Sequence, residues 1–282
     1  MILIAESSSI RTEWCQVEGS IVCDHTLMEG INPYFQNRRE ISRCVRLQLP
    51  ESYFRRKYDE VIFYGAGCAN PEKKSILEAS LVAQFKSPIR IESDLLGAAR
   101  GLFGDETGIA CILGSGSNSC MYDGEQIVKN VKSLGYVLGD EGSSAVLGKM
   151  FISDCLKELA PKALRDDFYQ KCNVTVDDIM QNVYNCPFPN RFLTIISHFL
   201  VDYQDQDYVH NLIYKNYRSF FKRSISQYDY QNYPVRVVGS SAFQYADILN
   251  EVADSFGVKI DLIQKNSLKG LVKFHTKEVV LE

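Results

Sequence analysis

The chain has 282 residues, 45% hydrophobic and 23% charged, with a formal net charge of −4, which suits a globular protein of two modest domains. Acidic and basic residues are mixed and form no basic stripe, which argues against nucleic acid as a partner. Met1-Ile2-Leu3-Ile4-Ala5 meets Glu6 without the basic start and longer apolar stretch of an export signal. No apolar run nears the ~18 residues of a membrane span, so a cytoplasmic protein with no membrane association is expected.

The apolar pattern predicts a buried strand over 2–5, then strands over 12–17 and 21–25 as an antiparallel meander joined by Glu18-Gly19-Ser20. A helix is predicted over 39–48 and a strand over 61–64, ending at Gly65-Ala66-Gly67. Pro71 sits where a helix can begin, and 72–85 carries helical periodicity. A strand over 89–91 and a helix over 95–102 complete this part. The pattern then restarts with an apolar strand over 108–113, a turn over 114–119, and a hairpin of 119–122 with 126–129 around Asp123-Gly124. Helices are predicted over 143–159, 176–184, 191–202 and 208–228. A strand over 235–238, a helix over 243–256, a strand over 259–263 and a helix over 268–275 close the chain.

Two units that each open with strand, polar turn and strand imply an architectural duplication. Alternating strands and helices favour α/β layers with a largely parallel sheet core, and two such units would leave a ligand cleft between them. Without a Pro/Gly/Ser-rich linker, the boundary is expected near residues 105–116. Nine cysteines are scattered with no C-x-x-C pair, so reduced, mostly buried thiols are expected. The four histidines have no metal-ligand spacing, and no His or Cys metal site is proposed. The tyrosines at 203, 208, 214, 217, 228, 230 and 233 could form a stacking surface but read first as amphipathic helical packing, at the subunit contact of a homodimer.

Four short stretches can carry chemistry. In Leu113-Gly114-Ser115-Gly116-Ser117-Asn118-Ser119 an apolar strand delivers a tight turn of small residues, whose backbone N–H groups can converge on an anion. A plain hairpin turn would look the same. Gly139-Asp140-Glu141-Gly142-Ser143 places two carboxylates before a helix, where Asp140 could cap that helix or bind sugar hydroxyls. Asp94 stands between a strand and a helix, at a cap position that is also where active residues of α/β proteins gather. Gly239-Ser240-Ser241-Ala242 again joins a strand to a helix, with room for a flat base or ribose.

In this order and spacing, these residues resemble the N-acetylglucosamine kinase branch of the actin–hexokinase–Hsp70 superfamily. That branch is grouped with the ATPase activators of benzoyl-CoA reductase and 2-hydroxyacyl-CoA dehydratase as the BadF/BadG/BcrA/BcrD ATPase family. The likeness runs from Met1 to His275. Gly114-Ser115-Gly116-Ser117-Asn118 matches the second phosphate loop, G-T-G-S-N, and Gly139–Ser143 matches the G-D-E-G-S signature. Gly30-Ile31-Asn32-Pro33 fits the sugar-holding loop, and Asp94 falls at the catalytic base.

The resemblance implies two actin-like (ribonuclease H-like) lobes around a nucleotide cleft, over 1–112 and 113–282, with the last helix returning to the first lobe. It implies a kinase that uses ATP and Mg²⁺ to phosphorylate the primary hydroxyl of an amino sugar such as N-acetylglucosamine. Phosphate and metal contacts would come from Glu6, Ser8, Ser9, Arg11, Thr12, Gly114, Ser115, Gly116 and Ser117. Asn32, Asn118, Gly135, Tyr136, Asp140 and Glu141 would hold the sugar, and Gly239, Ser240 and Ala242 the adenosine. The first phosphate loop departs from the family's D-x-G-x-T-[KS]-T. Glu6 adds a methylene to the leading carboxylate, Ser8 adds a Cβ at the glycine, and Ile10 replaces a hydroxyl, while Arg11 keeps the positive charge. A sugar- or nucleotide-binding sensor with weakened catalysis, or an ATPase activator of a dehydratase or reductase, would share the fold.

Overall fold

The computed structural model describes residues 1–276. In chain order these form β1 (Ile2–Ser7), β2 (Arg11–Glu18), β3 (Ile21–Glu29), α1 (Arg38–Gln48), α2 (Ser52–Arg55), β4 (Glu60–Gly65), α3 (Pro71–Phe85), β5 (Ile89–Ser93) and α4 (Asp94–Phe103). There follow β6 (Gly108–Leu113), β7 (Ser117–Tyr122), β8 (Ile127–Val131), α5 (Gly135–Leu138), α6 (Ser144–Leu156), α7 (Lys162–Cys172), α8 (Val176–Tyr184), α9 (Pro189–Phe199) and α10 (Asp207–Arg223). The last are β9 (Val235–Val238), α11 (Ser240–Gln244), α12 (Ala246–Ser255), β10 (Ile260–Gln264) and α13 (Leu268–His275).

The elements make two five-stranded sheets, in the orders β3-β2-β1-β4-β5 and β10-β9-β6-β7-β8. In the first sheet β1 pairs antiparallel with β2 and parallel with β4, and β4 pairs parallel with β5. Both sheets carry helices, giving two α/β lobes of the actin-like type. The chain divides into two compact units. One is Met1–Ala110 with Tyr122–Val128 and, among the described residues, 266–276; the other is Cys111–Met121 with Lys129–Lys265. Among the described residues, no helix is long and apolar enough to cross a membrane.

In the first unit, alternate residues of β1, β2 and β4 feed two cores on opposite sheet faces. Leu3, Ala5, Trp14 and Phe63 pack with Val45, Leu81 and Phe85 of α1 and α3, and Trp14 meets Phe63 edge-on at 5.7 Å. Ile4, Cys15, Ile62 and Tyr64 pack instead with Leu268, Leu271 and Val272 of α13. Small residues let α13 approach α4 closely: a Cβ added at Gly270 would lie 1.9 Å from the Gly101 carbonyl oxygen. The Tyr64 hydroxyl joins His275 Nε2 at 2.8 Å and accepts from Arg100 Nη1 at 3.1 Å, which ties the end of α13 to β4 and α4.

Several local expectations are corrected. The helix that Asp94 opens is capped by Ser93, whose hydroxyl accepts from Leu96 N–H at 3.2 Å, so Asp94 is the first helical residue rather than the cap. Likewise Ser143, not Asp140, caps α6, accepting from Val146 N–H at 3.1 Å. The helix predicted over 243–256 is divided into α11 and α12 at Tyr245, whose ψ of 38° breaks the helical path. The single helices predicted over 191–202 and 208–228 end earlier, each continuing as a short 3-10 turn. Most cysteines are buried or half-buried, but Cys23 and Cys186 are exposed. Of the tyrosines in the helical region, Tyr217 is fully buried and bonds Ser241, and Tyr208 donates to Asp154 at 2.8 Å.

Candidate active site

In the first unit, candidate residues gather where β1, β4 and β5 end. The β1–β2 turn is closed by Ser8, whose N–H donates to the Arg11 carbonyl at 2.9 Å. The Ser8 hydroxyl accepts from the N–H groups of Ile10 at 3.2 Å and Arg11 at 3.1 Å. Thr12 is fully buried; its hydroxyl shares a 2.7 Å hydrogen bond with Ser7 Oγ and donates to the Glu29 carbonyl at 3.0 Å. Gly30 lies against this turn so closely that a Cβ there would stand 2.4 Å from the Ser8 carbonyl oxygen.

Glu6 turns toward α13. Its carboxylate accepts from Ser267 Oγ at 2.7 Å and from Ser267 N–H at 3.1 and 3.2 Å, compensating the first turn of that helix. Burial raises the Glu6 carboxyl above its ordinary value, and the Ser267 bonds offset part of that rise. Arg11 pairs with Glu13 at 2.6 Å, and Glu13 also accepts from Asn266 Nδ2 at 3.1 Å.

Asn32 is buried, donates from Nδ2 to Ser9 Oγ at 3.2 Å and accepts at Oδ1 from Tyr34 N–H at 3.0 Å. Gly67 packs on it: at a φ of +80°, a Cβ would stand 2.8 Å from Asn32 Oδ1. Asp94 accepts from Leu95 N–H at 2.9 Å. Desolvation pushes its carboxyl up to about 6, against the downward pull of the Leu95 and Asp94 backbone N–H groups. That range suits a general base acting near neutral pH. Burial, and then the charge of Asp94, push the Cys68 thiol up to about 12, so Cys68 stands near Asp94 as a neutral thiol. Gly67 and Cys68 were not singled out from sequence as site residues. Their signal was the Gly65-Ala66-Gly67 turn after an apolar strand.

In the second unit, the turn after β6 is braced by the start of α6. Ser144 N–H donates to the Gly114 carbonyl at 2.8 Å and Ala145 N–H to that of Ser115 at 3.3 Å. Space opens at Gly114, where an added Cβ would meet nothing within 4 Å. Gly116 faces Asp140, since a Cβ there would stand 3.2 Å from Asp140 Oδ2. Asp140 holds this place in a left-handed conformation, φ 56°, with its N–H on the Ser133 carbonyl at 2.9 Å. Asn118 Oδ1 accepts from Ser119 N–H and from Asn130 Nδ2, both at 2.9 Å. Glu141 pairs with Arg223 at 3.3 Å, and the Tyr136 carbonyl accepts from Lys149 Nζ at 2.5 Å. Gly135 precedes Tyr136 with a φ of +75°.

The β9–α11 turn packs on the same strand end. Gly239, at φ +137°, would place a Cβ 2.1 Å from the Leu113 carbonyl oxygen and 3.0 Å from Gly114 N, a closeness only glycine permits. Ala242 is fully buried under this turn, while Ser240 is exposed at the start of α11. Gly114, Ser115, Gly116, Ser117, Asp140 and Gly239 thus form one neighbourhood in this unit.

No protein-family model matches the chain, and no curated protein matches it. Among solved structures, it is 38% identical to the "Putative N-acetylglucosamine Kinase" of Porphyromonas gingivalis over 99% of this chain and 100% of that one, with a TM-score of 0.92. A protein of Chromobacterium violaceum described in the same words shares the fold at 15% identity, with 97% and 98% of the two chains covered and a TM-score of 0.75. So does a "putative N-acetylmannosamine kinase" of Listeria monocytogenes, at 14% identity, 98% and 99% coverage and a TM-score of 0.53. With the two actin-like lobes and the G-S-G-S-N and G-D-E-G-S motifs in their turns, the chain belongs to the N-acetylglucosamine kinase-like proteins of the actin–hexokinase–Hsp70 superfamily.

Proposed function

We propose that this protein is a sugar kinase that transfers the γ-phosphoryl group of ATP to the primary hydroxyl of an amino sugar, N-acetylglucosamine first among them. The observation that carries the reading is Asp94: a half-buried carboxyl at the C-terminal end of β5, raised to about 6, with a backbone N–H as its hydrogen-bond partner. A carboxylate of that basicity can accept the sugar's hydroxyl proton. The sugar oxygen then bonds to the γ-phosphorus as the bond to the β,γ-bridging oxygen breaks, and ADP leaves with that electron pair. Transfer of this kind depends mainly on positioning and charge stabilisation.

In this reading the amide of Asn32 orients the sugar ring. The small-residue turn of Gly114, Ser115, Gly116 and Ser117 takes the nucleotide's phosphates, since Gly114 opens on unfilled space. Gly239 and Ser240 line the adenosine, and Ala242, fully buried, supports their turn from beneath. Mg²⁺ ordinarily accompanies ATP in such reactions, but Glu6 does not fit as its ligand while Ser267 engages both carboxylate oxygens. The reading therefore assigns Glu6 to holding α13. That engagement favours a second reading, in which the chain binds sugar and nucleotide but transfers slowly. Assaying amino sugars and hexoses with Mg-ATP for phosphorylated product separates the two.

A further inference from the structure

The β1–β2 turn has its polar groups satisfied from within the first unit. Thr12 is engaged by Ser7 and Glu29, Arg11 by Glu13, and Glu6 by Ser267. The two N–H groups at the tip, of Ile10 and Arg11, point at one acceptor, the hydroxyl oxygen of Ser8, at 3.2 and 3.1 Å. Two convergent backbone N–H groups on one oxygen is the arrangement with which a turn binds a phosphate oxygen. Here a side chain of the turn itself supplies that oxygen. The hydroxyl proton is also directed to the turn, toward the Arg11 carbonyl at 3.2 Å. Ser8 is exposed, so rotation about its χ1 would carry the hydroxyl into solvent without disturbing a packed core.

We propose that the Ser8 hydroxyl is a built-in competitor for the nucleotide's β- and γ-phosphates, which bind the first turn only after Ser8 swings off the Ile10 and Arg11 N–H groups. This rests on the kinase reading and adds to it a residue that sets nucleotide affinity. An intramolecular acceptor that must be displaced weakens every ligand using those donors. A ligand without β- and γ-phosphates escapes the effect. Removing the hydroxyl leaves two exposed N–H groups that water satisfies, so the fold loses little.

The test is titration calorimetry of wild type, Ser8→Ala and Ser8→Gly with Mg-ATP, with AMP and with N-acetylglucosamine. The alanine variant keeps the Cβ and removes only the hydroxyl; the glycine variant controls for the Cβ. Both are expected to bind Mg-ATP about tenfold more tightly than wild type, with AMP and the sugar unchanged. Equal Mg-ATP affinity in all three proteins overturns the role of Ser8 and leaves the kinase reading standing, as does an equal gain for AMP. If none of the three binds ATP while N-acetylglucosamine still binds, both the competitor and the kinase reading fail.

Discussion

Asn32 Nδ2 donates to Ser9 Oγ over 3.2 Å, which links the loop assigned to the sugar directly to the turn assigned to phosphate. Its other amide atom holds Tyr34 N–H at 3.0 Å, and Gly67 leaves no gap beside it. The amide is therefore set in one orientation before any ligand arrives, which lowers the ordering cost of binding.

Asn32→Ala should weaken binding of N-acetylglucosamine by ~1–3 kcal/mol, the usual loss when a buried partner is left unpaired. Mg-ATP should lose much less, because the turn keeps the bonds of Thr12 to Ser7 and Glu29 and the Arg11–Glu13 pair. Calorimetry with each ligand checks this, and equal losses would remove Asn32 from the sugar site.

Asp94 links activity to stability in opposite directions. Its carboxyl titrates near 6 in the fold and near the ordinary value when unfolded, so the folded state favours the protonated form. The stability it contributes is fully present below about pH 4, falls as pH rises to about 6 and stays low above that. Catalysis needs the opposite form, so kcat should rise through about pH 6 on the acid side. Asp94→Asn should lower turnover by ~10²–10⁴ and leave sugar binding largely intact. It should also raise stability near pH 7, by up to about 3 kcal/mol. Urea unfolding at pH 4 and pH 7 reads the stability half: a variant whose gain over wild type is the same at both pH values contradicts the assignment.

Two glycines of the second unit should respond differently to the same added methyl. Gly239→Ala forces a side chain onto the Leu113 carbonyl at a φ of +137°, so the fold should be clearly destabilised. At Gly114 the methyl meets nothing, so Gly114→Ala should unfold within about 0.5 kcal/mol of wild type. It should nevertheless bind Mg-ATP more weakly, because it fills the space offered to phosphate. Thermal melts with and without nucleotide separate the two effects; Gly114→Ala that binds ATP as wild type does would move the phosphates elsewhere.

Much of this arrangement was legible because local chemistry agreed with the fold. Strand periodicity located β1, β2, β4 and β6, and Pro71 marked the start of α3. The adjacent-cap errors arose because Ser93 and Asp94, or Asp140 and Ser143, are all competent caps, and only backbone conformation decides between them. Asp140 is displaced from that role by its left-handed φ, which turns its carboxylate toward Gly116. α7 carries little helical signal in the sequence, because its buried residues, Leu164 and Phe168, are a single apolar pair in a mostly polar segment. The role of Glu6 was out of reach, since its partner Ser267 lies 261 residues away and no spacing rule connects them. The Ser8 cap was equally hidden: the sequence showed a serine at a glycine position, but not that its hydroxyl would take the N–H groups of Ile10 and Arg11.

The most direct test of the central claim is phosphoryl transfer itself. Purified protein would be incubated with Mg-ATP and each of a panel of amino sugars and hexoses, and the products identified by mass spectrometry, with Asp94→Asn run in parallel. The account predicts a sugar monophosphate, formed best from N-acetylglucosamine and carrying the phosphate on the primary hydroxyl, and little or none from the Asp94→Asn protein. Full turnover by Asp94→Asn would contradict the assignment of the base. No sugar phosphate from any member of the panel, in protein that binds both ATP and N-acetylglucosamine, would contradict the kinase itself.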